Sequence, residues 1–133
     1  LTPRKKKNQA AVKSDELPEL LRAISTYETI GDRQTQLALQ LLALTFVRTN
    51  ELIGAVWTEF DLDNAIWIVP AERMKMRNEH VVSLSSQAMK IIAELKTMAG
   101  NSRYLLCLGA NKISRSVITR CFLPCIAWGI KVR

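Results

Sequence analysis

Few side chains in this sequence stand at intervals that suggest a reaction or a ligand: Arg48 with Glu51, the alternating cations Arg73, Lys75 and Arg77, and the single histidine, His80. Arg48 ends an apolar stretch, and Glu51 follows it by about one helical turn. A guanidinium at the lip of a dry core, with a carboxylate a turn further on, is a positive charge fixed in place. The competing reading is a surface arginine that closes a helix and complements its dipole. Arg73, Lys75 and Arg77 alternate with Met74 and Met76, so an extended chain puts the cations on one face and the methionines on the other. Here the competing reading is a solvated loop tip. Cys107, Cys121 and Cys125 cannot all pair with one another, and Cys121 and Cys125 share a helical spacing. No histidine or further cysteine stands near them, so the expectation is free buried thiols in a reducing cytosol and no metal site.

Residues 37–52, LALQLLALTFVRTNEL, must position Arg48. Leu37, Leu39, Leu41, Leu42, Leu44, Phe46 and Val47 wrap most of a helix, and a helix apolar all round belongs in the core. Asp32 is its expected cap and Arg48 its approximate end, with Thr49 and Asn50 suited to a new start. Ahead of it, Ser14 or Asp15 can cap a helix that holds Pro18 in its first turn and Leu17, Leu20, Leu21 and Ile24 at helical spacing. Gly31 lies in the intervening break, free to take positive φ. Beyond the second helix start the period changes. Residues 59–61 predict a short strand, Asp63 and Asn64 a turn, and residues 65–69 a β-branched and aromatic strand ended by Pro70. Residues 72–79 have the composition of an exposed hairpin tip, and residues 80–84 form the return strand. Ser85 caps a helix with Ala88, Ile91, Ile92, Leu95 and Met98 on one face and Gly100 at its end. Residues 104–108 read as extended, and Ser114 caps a last helix that Pro124 breaks. The expected fold class is α+β: mainly helical, with a small antiparallel sheet of about three strands.

At 133 residues, with 48% hydrophobic and 23% charged side chains, the chain fits one domain with a sizeable core. Its longest apolar run, residues 41–47, is interrupted by Thr45 and falls far short of the roughly 20 residues of a membrane span. The basic N-terminus has no apolar stretch behind it, so no secretory signal is expected. The net charge of +7 is unevenly spread. Arg4, Lys5, Lys6, Lys7 and Lys13 make residues 1–13 a basic arm without an acid, residues 14–94 are acidic on balance, and residues 95–133 are basic again with no acid. Such surface suits a polyanion, because neutralising phosphates releases counterions, although solubility alone would also use it.

TFVRTNEL resembles the first arginine box of tyrosine recombinases of the prophage integrase type, an apolar helix followed by Arg-x-x-Glu-Leu. WTEFDLDNAIWIVPAERMKMRNEHVVSLSSQA, residues 57–88, resembles the segment that follows in that family, hairpin lysine included. The likeness extends over roughly residues 10–105, far more than a short motif. It implies a basic linker or arm at 1–13 and a partial integrase catalytic domain at 14–133, folded like the first half of the recombinase catalytic core. It also implies double-stranded DNA as partner, site-specific recombination and integration by strand cleavage and joining, no cofactor and no metal. A bacterial cytoplasmic, DNA-associated location follows, with no membrane, and full-length relatives that assemble as oligomers on DNA. In such enzymes a tyrosine attacks the scissile phosphate, two arginines hold its non-bridging oxygens, and a hairpin lysine protonates the leaving 5′ oxygen. Arg48 matches the first arginine, whose planar fork takes two phosphate oxygens and keeps its charge. Glu51 matches the acid that orients it, and Lys75 matches the hairpin lysine. Arg48 is expected partly buried beside Glu51, on one concave positive face with Lys75. Lys5, Lys6, Lys7, Arg73, Arg77 and His80 are the expected DNA contacts, with a structural role as the alternative for His80.

The chain also departs from that pattern. No His-x-x-Arg follows Lys75, and the only tyrosines, Tyr27 and Tyr104, stand upstream of where the nucleophile belongs and read as packing residues. Ser83 stands where sequences of this type usually have Pro. After about Ser114 the likeness fades, and RCFLPCIAWGIKVR reads as a helix that lost its continuation through a frameshift, a premature stop or trimming. The expectation is a DNA-binding fragment of a prophage integrase, inactive alone. The alternatives are a small non-enzymatic nucleic-acid-binding regulator, and a structural remnant whose helices pair with another chain. Exposed apolar surface would favour the last.

Overall fold

Pro18 falls in the first turn of α1 (Leu17–Ser25), where its missing N–H would have had no intrahelical acceptor. In the computed structural model, which describes residues 13–29, 32–74 and 78–107, the residue preceding α1 is Glu16, not Ser14 or Asp15. The Glu16 carboxylate accepts from the Lys13 backbone N–H at 3.0 Å. Of the periodic apolar residues of α1, Ile24 is buried, but Leu17 and Leu21 stand about half exposed. Helical spacing gave them a common face; whether that face meets a core is decided by what packs on it.

α2 (Arg33–Thr45) begins as expected at Asp32, whose Oδ1 accepts the Thr35 N–H at 2.9 Å. Leu37, Ala38, Leu41 and Leu42 enter the main core and Leu39 is buried beside them. The helix stops at Thr45, short of Arg48, because Phe46 turns left-handed at φ 54° and closes it with an N–H bond to the Leu42 carbonyl at 3.0 Å. The expectation of an apolar helix buried all round therefore fails at its end: Leu44 is exposed and Phe46 is 89% exposed. A polar cluster that the leucine pattern hides organises the other end. Buried Gln36 donates to the Ile24 and Ser25 carbonyls at 3.2 and 2.6 Å, satisfying the end of α1. Arg33 forks onto Glu94 of the helix packed against α2, with Nε–Oε1 at 2.7 Å and Nη2–Oε2 at 3.0 Å. That hydrogen bond holds the Glu94 carboxyl below its ordinary value.

The sheet is antiparallel in the order β1 (Phe60–Asp61), β2 (Ile66–Val69), β3 (His80–Ser83), so the β-branched and aromatic strand is central. Asp61 builds the turn between β1 and β2 by accepting from the Asn64 backbone N–H at 3.1 Å and side chain at 2.8 Å, and Ala65 follows at φ 54°. In register, Trp67 faces Phe60 on one side and Val82 on the other. α4 (Ser86–Ala99) is capped by Ser85, whose Oγ accepts the Ala88 N–H at 3.2 Å, and it ends at Gly100 with φ 55°. Ala88, Ile92 and Leu95 line its buried face, whereas Ile91 is half-buried and Met98 exposed. After α4 the chain runs back against Ala55 and Val56: the Leu105 N–H bonds the Ala55 carbonyl at 2.9 Å and Tyr104 bridges Val56. The core lies between these elements, with Leu37, Leu41, Leu52, Trp67, Ile92 and Leu105 essentially inaccessible. The α+β class, mainly helical with a three-stranded antiparallel sheet, is as the sequence predicted. No helix among the described residues is long and apolar enough to cross a membrane. Gly31, Cys121, Cys125 and the helix expected from Ser114 lie outside the described residues.

Candidate functional site

Arg48 sits between two helices. Phe46 has ended α2, and Arg48 itself is extended, at φ −73° and ψ 147°, as the residue that opens α3 (Thr49–Ile53). Glu51 then falls in the first turn of α3, where a carboxylate meets orphan N–H groups. Its Oε2 accepts the Arg48 backbone N–H at 3.1 Å and its Oε1 accepts Arg48 Nη1 at 2.9 Å. The two side chains differ sharply in exposure, 65% for Arg48 and 4% for Glu51. The expected pairing is present; the expected partial burial of Arg48 is not, because the early end of α2 leaves Arg48 outside the core while Glu51 points in. One nitrogen of the guanidinium is pinned by a buried carboxylate and the rest of the fork is open to solvent. A planar cation held in that way can receive an oxyanion without first being ordered.

Arg73 is the second candidate cation that the structure describes, and it turns inward. β2 runs into Pro70 and a short 3-10 turn, Ala71–Arg73, which carries the guanidinium back over α3. Nη1 pairs with Glu59 Oε1 at 3.1 Å and donates to the Gly54 carbonyl, and Nη2 donates to the Glu51 carbonyl. Glu59 is buried, and its other oxygen accepts Trp67 Nε1 at 3.0 Å. The Arg73 side chain is 24% exposed. Arg73 thus departs from the exposed hairpin tip on which it was expected to stand with Lys75 and Arg77. The acid that pairs with it, and the indole that fixes that acid, are not among the partners the sequence predicts. They come from different elements, and no sequence spacing marks them.

Lys75 and Arg77 lie outside the described residues, as do Lys5, Lys6 and Lys7. His80 opens β3 opposite Val69 with its side chain exposed. Tyr27 is half-buried in a 3-10 turn after α1. Tyr104, expected as a packing residue, is 39% exposed. Among the described residues no group of three or more His, Cys, Asp or Glu could hold a metal ion. Beside Arg48 runs an apolar groove of about 1110 Å³, walled by Leu17 and Leu21 of α1, Leu42 and Phe46 at the end of α2, and Ile91 of α4. Val47 and Thr49, the neighbours of Arg48 in the chain, also line it.

Helices around a three-stranded antiparallel sheet, with Arg48 at a helix start, make up a fold that this chain shares with a solved recombinase. A crystal structure of XerA recombinase matches 96% of this chain, and 46% of its own, with a TM-score of 0.71 at 19% sequence identity. The signature of the phage integrase family matches residues 11–123, and the chain belongs to that family. It is 38% identical over 117 residues to the integrase of Enterobacteria phage P4, covering 79% of this chain and 26% of that protein. It is 36% identical over 105 residues to the prophage integrase IntZ of Escherichia coli strain K12, covering 79% of this chain and 25% of that one. The chain therefore spans about a quarter of the length of the curated relatives it matches.

Proposed function

We propose that this chain supplies the Arg48–Lys75 part of a tyrosine recombinase active site and binds double-stranded DNA. The observation that carries the reading is the Arg48 guanidinium, pinned at one nitrogen by buried Glu51 and otherwise open. A scissile phosphate bound there would meet two donors of one planar fork. Lys75, on the hairpin, would protonate the 5′ oxygen as the phosphorus–oxygen bond breaks. Lys5, Lys6, Lys7, Arg77 and exposed His80 would hold the duplex through its backbone. Arg73 has its guanidinium engaged elsewhere and is left out of that set. The location that follows is the bacterial cytoplasm, on DNA, without a metal or cofactor.

The 133-residue chain by itself is expected to bind without cutting. Cleavage needs a nucleophile, cations on the phosphate and an acid for the leaving group acting together. Its sequence has no His-x-x-Arg after Lys75, and no tyrosine beyond Tyr104. The test uses a labelled duplex with a nick placed to trap a phosphotyrosine. Arg48→Ala and Lys75→Ala should each weaken binding by about fivefold, as loss of an exposed charge-assisted contact worth about 1 kcal/mol does. A denaturing gel should show no protein joined to DNA. Unchanged affinity in both variants removes these residues from the phosphate, and an adduct at Tyr27 or Tyr104 refutes the silence.

The groove favours a second reading, pairing with more polypeptide. We assign as its occupant the remainder of a catalytic domain, of the kind the longer relatives carry. The groove is flanked by Val47 and Thr49, so an apolar element seated there would arrive beside Arg48, where a second arginine has to come. Left open, Leu21 and Phe46 form a sticky face. Sedimentation of the 133-residue chain should show self-association that a Leu21→Glu, Phe46→Glu double variant lowers about tenfold or more. A strictly monomeric chain, or self-association indifferent to both changes, speaks against it.

A further inference from the structure

We propose that Arg73 is a positioning residue that ties the Lys75 hairpin to the Arg48 helix, so that both cations can reach one phosphate. The proposal rests on the Arg48–Lys75 reading above. α3 is only five residues long, too short to hold itself together in water. Its first turn is fixed by Glu51 on the Arg48 backbone. Its end leaves the Glu51 and Gly54 carbonyls to be satisfied from outside, and the Arg73 guanidinium takes both. The same guanidinium is held from the sheet side by Glu59, which is itself fixed by the buried indole of Trp67 in β2. Arg73 thus joins the helix that starts at Arg48 to the strands that carry the hairpin, and Lys75 follows it by two residues. A lysine could not replace it, since a single ammonium lacks the flat fork that reaches two carbonyls and a carboxylate at once.

Gly54 makes room for the tie. A Cβ built on Gly54 would lie 2.9 Å from Arg73 Nη1 and 3.4 Å from its Cζ. The Gly54 backbone, at φ −87°, tolerates any residue, and the Asn50 carbonyl of α3 lies no nearer than 3.4 Å, so Gly54→Ala presses chiefly on the guanidinium.

The experiment uses the full 133-residue chain in two arms. In the first, amide hydrogen exchange is followed without DNA in Arg73→Gln and in the milder Gly54→Ala. Residues 78–82 and α3 should exchange about tenfold faster or more in both variants, with α2 and α4 unchanged. In the second arm, duplex affinity is measured for Arg48→Ala, Lys75→Ala and the pair. In the native background the paired loss should be smaller than the product of the single losses, because the two cations share a phosphate. In an Arg73→Gln background the losses should multiply, because the hairpin no longer holds Lys75 to that phosphate. Hairpin exchange unchanged in both variants overturns the tie, as does coupling that survives Arg73→Gln. Absence of coupling in the native background refutes the shared phosphate and the proposed function, while the exchange arm still decides whether the tie exists. An affinity loss in Arg73→Gln with exchange unchanged would make Arg73 a plain DNA contact.

Discussion

Duplex binding by this chain is expected to fall about five-hundredfold as salt rises from about 50 to about 200 mM. The reason is the kind of contact available. Lys5, Lys6 and Lys7 form a short cationic run, and Arg48, Lys75 and Arg77 are the cations assigned to the phosphates near the hairpin. With Arg48 and Lys75 on one phosphate, these cations neutralise roughly five, so the logarithm of affinity should drop with the logarithm of salt at a slope near −4.5, and a fourfold rise in salt gives about a five-hundredfold loss. Replacing Lys5, Lys6 and Lys7 together by Ala should weaken binding to every sequence alike, since phosphate contacts carry no base information. The slope should then shrink by about 2 to 3. Fluorescence anisotropy with two unrelated duplexes, titrated across salt, reads both effects. Binding indifferent to ionic strength, or a triple variant that loses affinity for one sequence only, would count against an electrostatic grip on the backbone.

Trp67→Ala should come close to unfolding the domain. The indole is inaccessible to solvent, stacks on Phe60 with centroids 5.0 Å apart at 18°, and donates to buried Glu59 at 3.0 Å. Truncating a buried tryptophan costs about 3–5 kcal/mol, and leaving a buried carboxylate short of a donor costs about 1–3 kcal/mol more. Domains of this size are stable by only about 5–15 kcal/mol. Trp67→Phe separates the two contributions, since it keeps most of the apolar ring and removes the N–H; a loss of about 1–3 kcal/mol is expected. Urea unfolding followed by circular dichroism measures both. If Trp67→Ala unfolds at the native midpoint, the Trp67–Glu59–Arg73 arrangement is not what holds the sheet to α3. The two variants also bear on the site, because Glu59 is the acid that faces Arg73.

What the sequence decided by itself is local. Asp32 and Ser85 cap their helices because a side-chain oxygen placed just before a helix has the N–H three residues on within reach. Arg48 and Glu51 meet because residues three apart across a helix start are neighbours, whatever surrounds them. The strand order followed from consecutive β-forming runs, the first two joined by a short turn at Asp63 and Asn64, and the integrase pattern was legible because Arg48, Glu51 and Leu52 are close in the chain. Which member of that pair is buried depends instead on packing between elements. Phe46 ends α2 early, which turns Glu51 into the core and leaves Arg48 in water. Tertiary structure also brought Arg73 inward, since Glu59 just ahead of β1 and the Glu51 and Gly54 carbonyls of α3 and its cap converge on it only once the sheet packs on α3. The leucines of α1 make the same point in reverse: helical spacing aligned Leu17 and Leu21 on one face, but a face becomes core only when another element covers it, and among the described residues none covers this one.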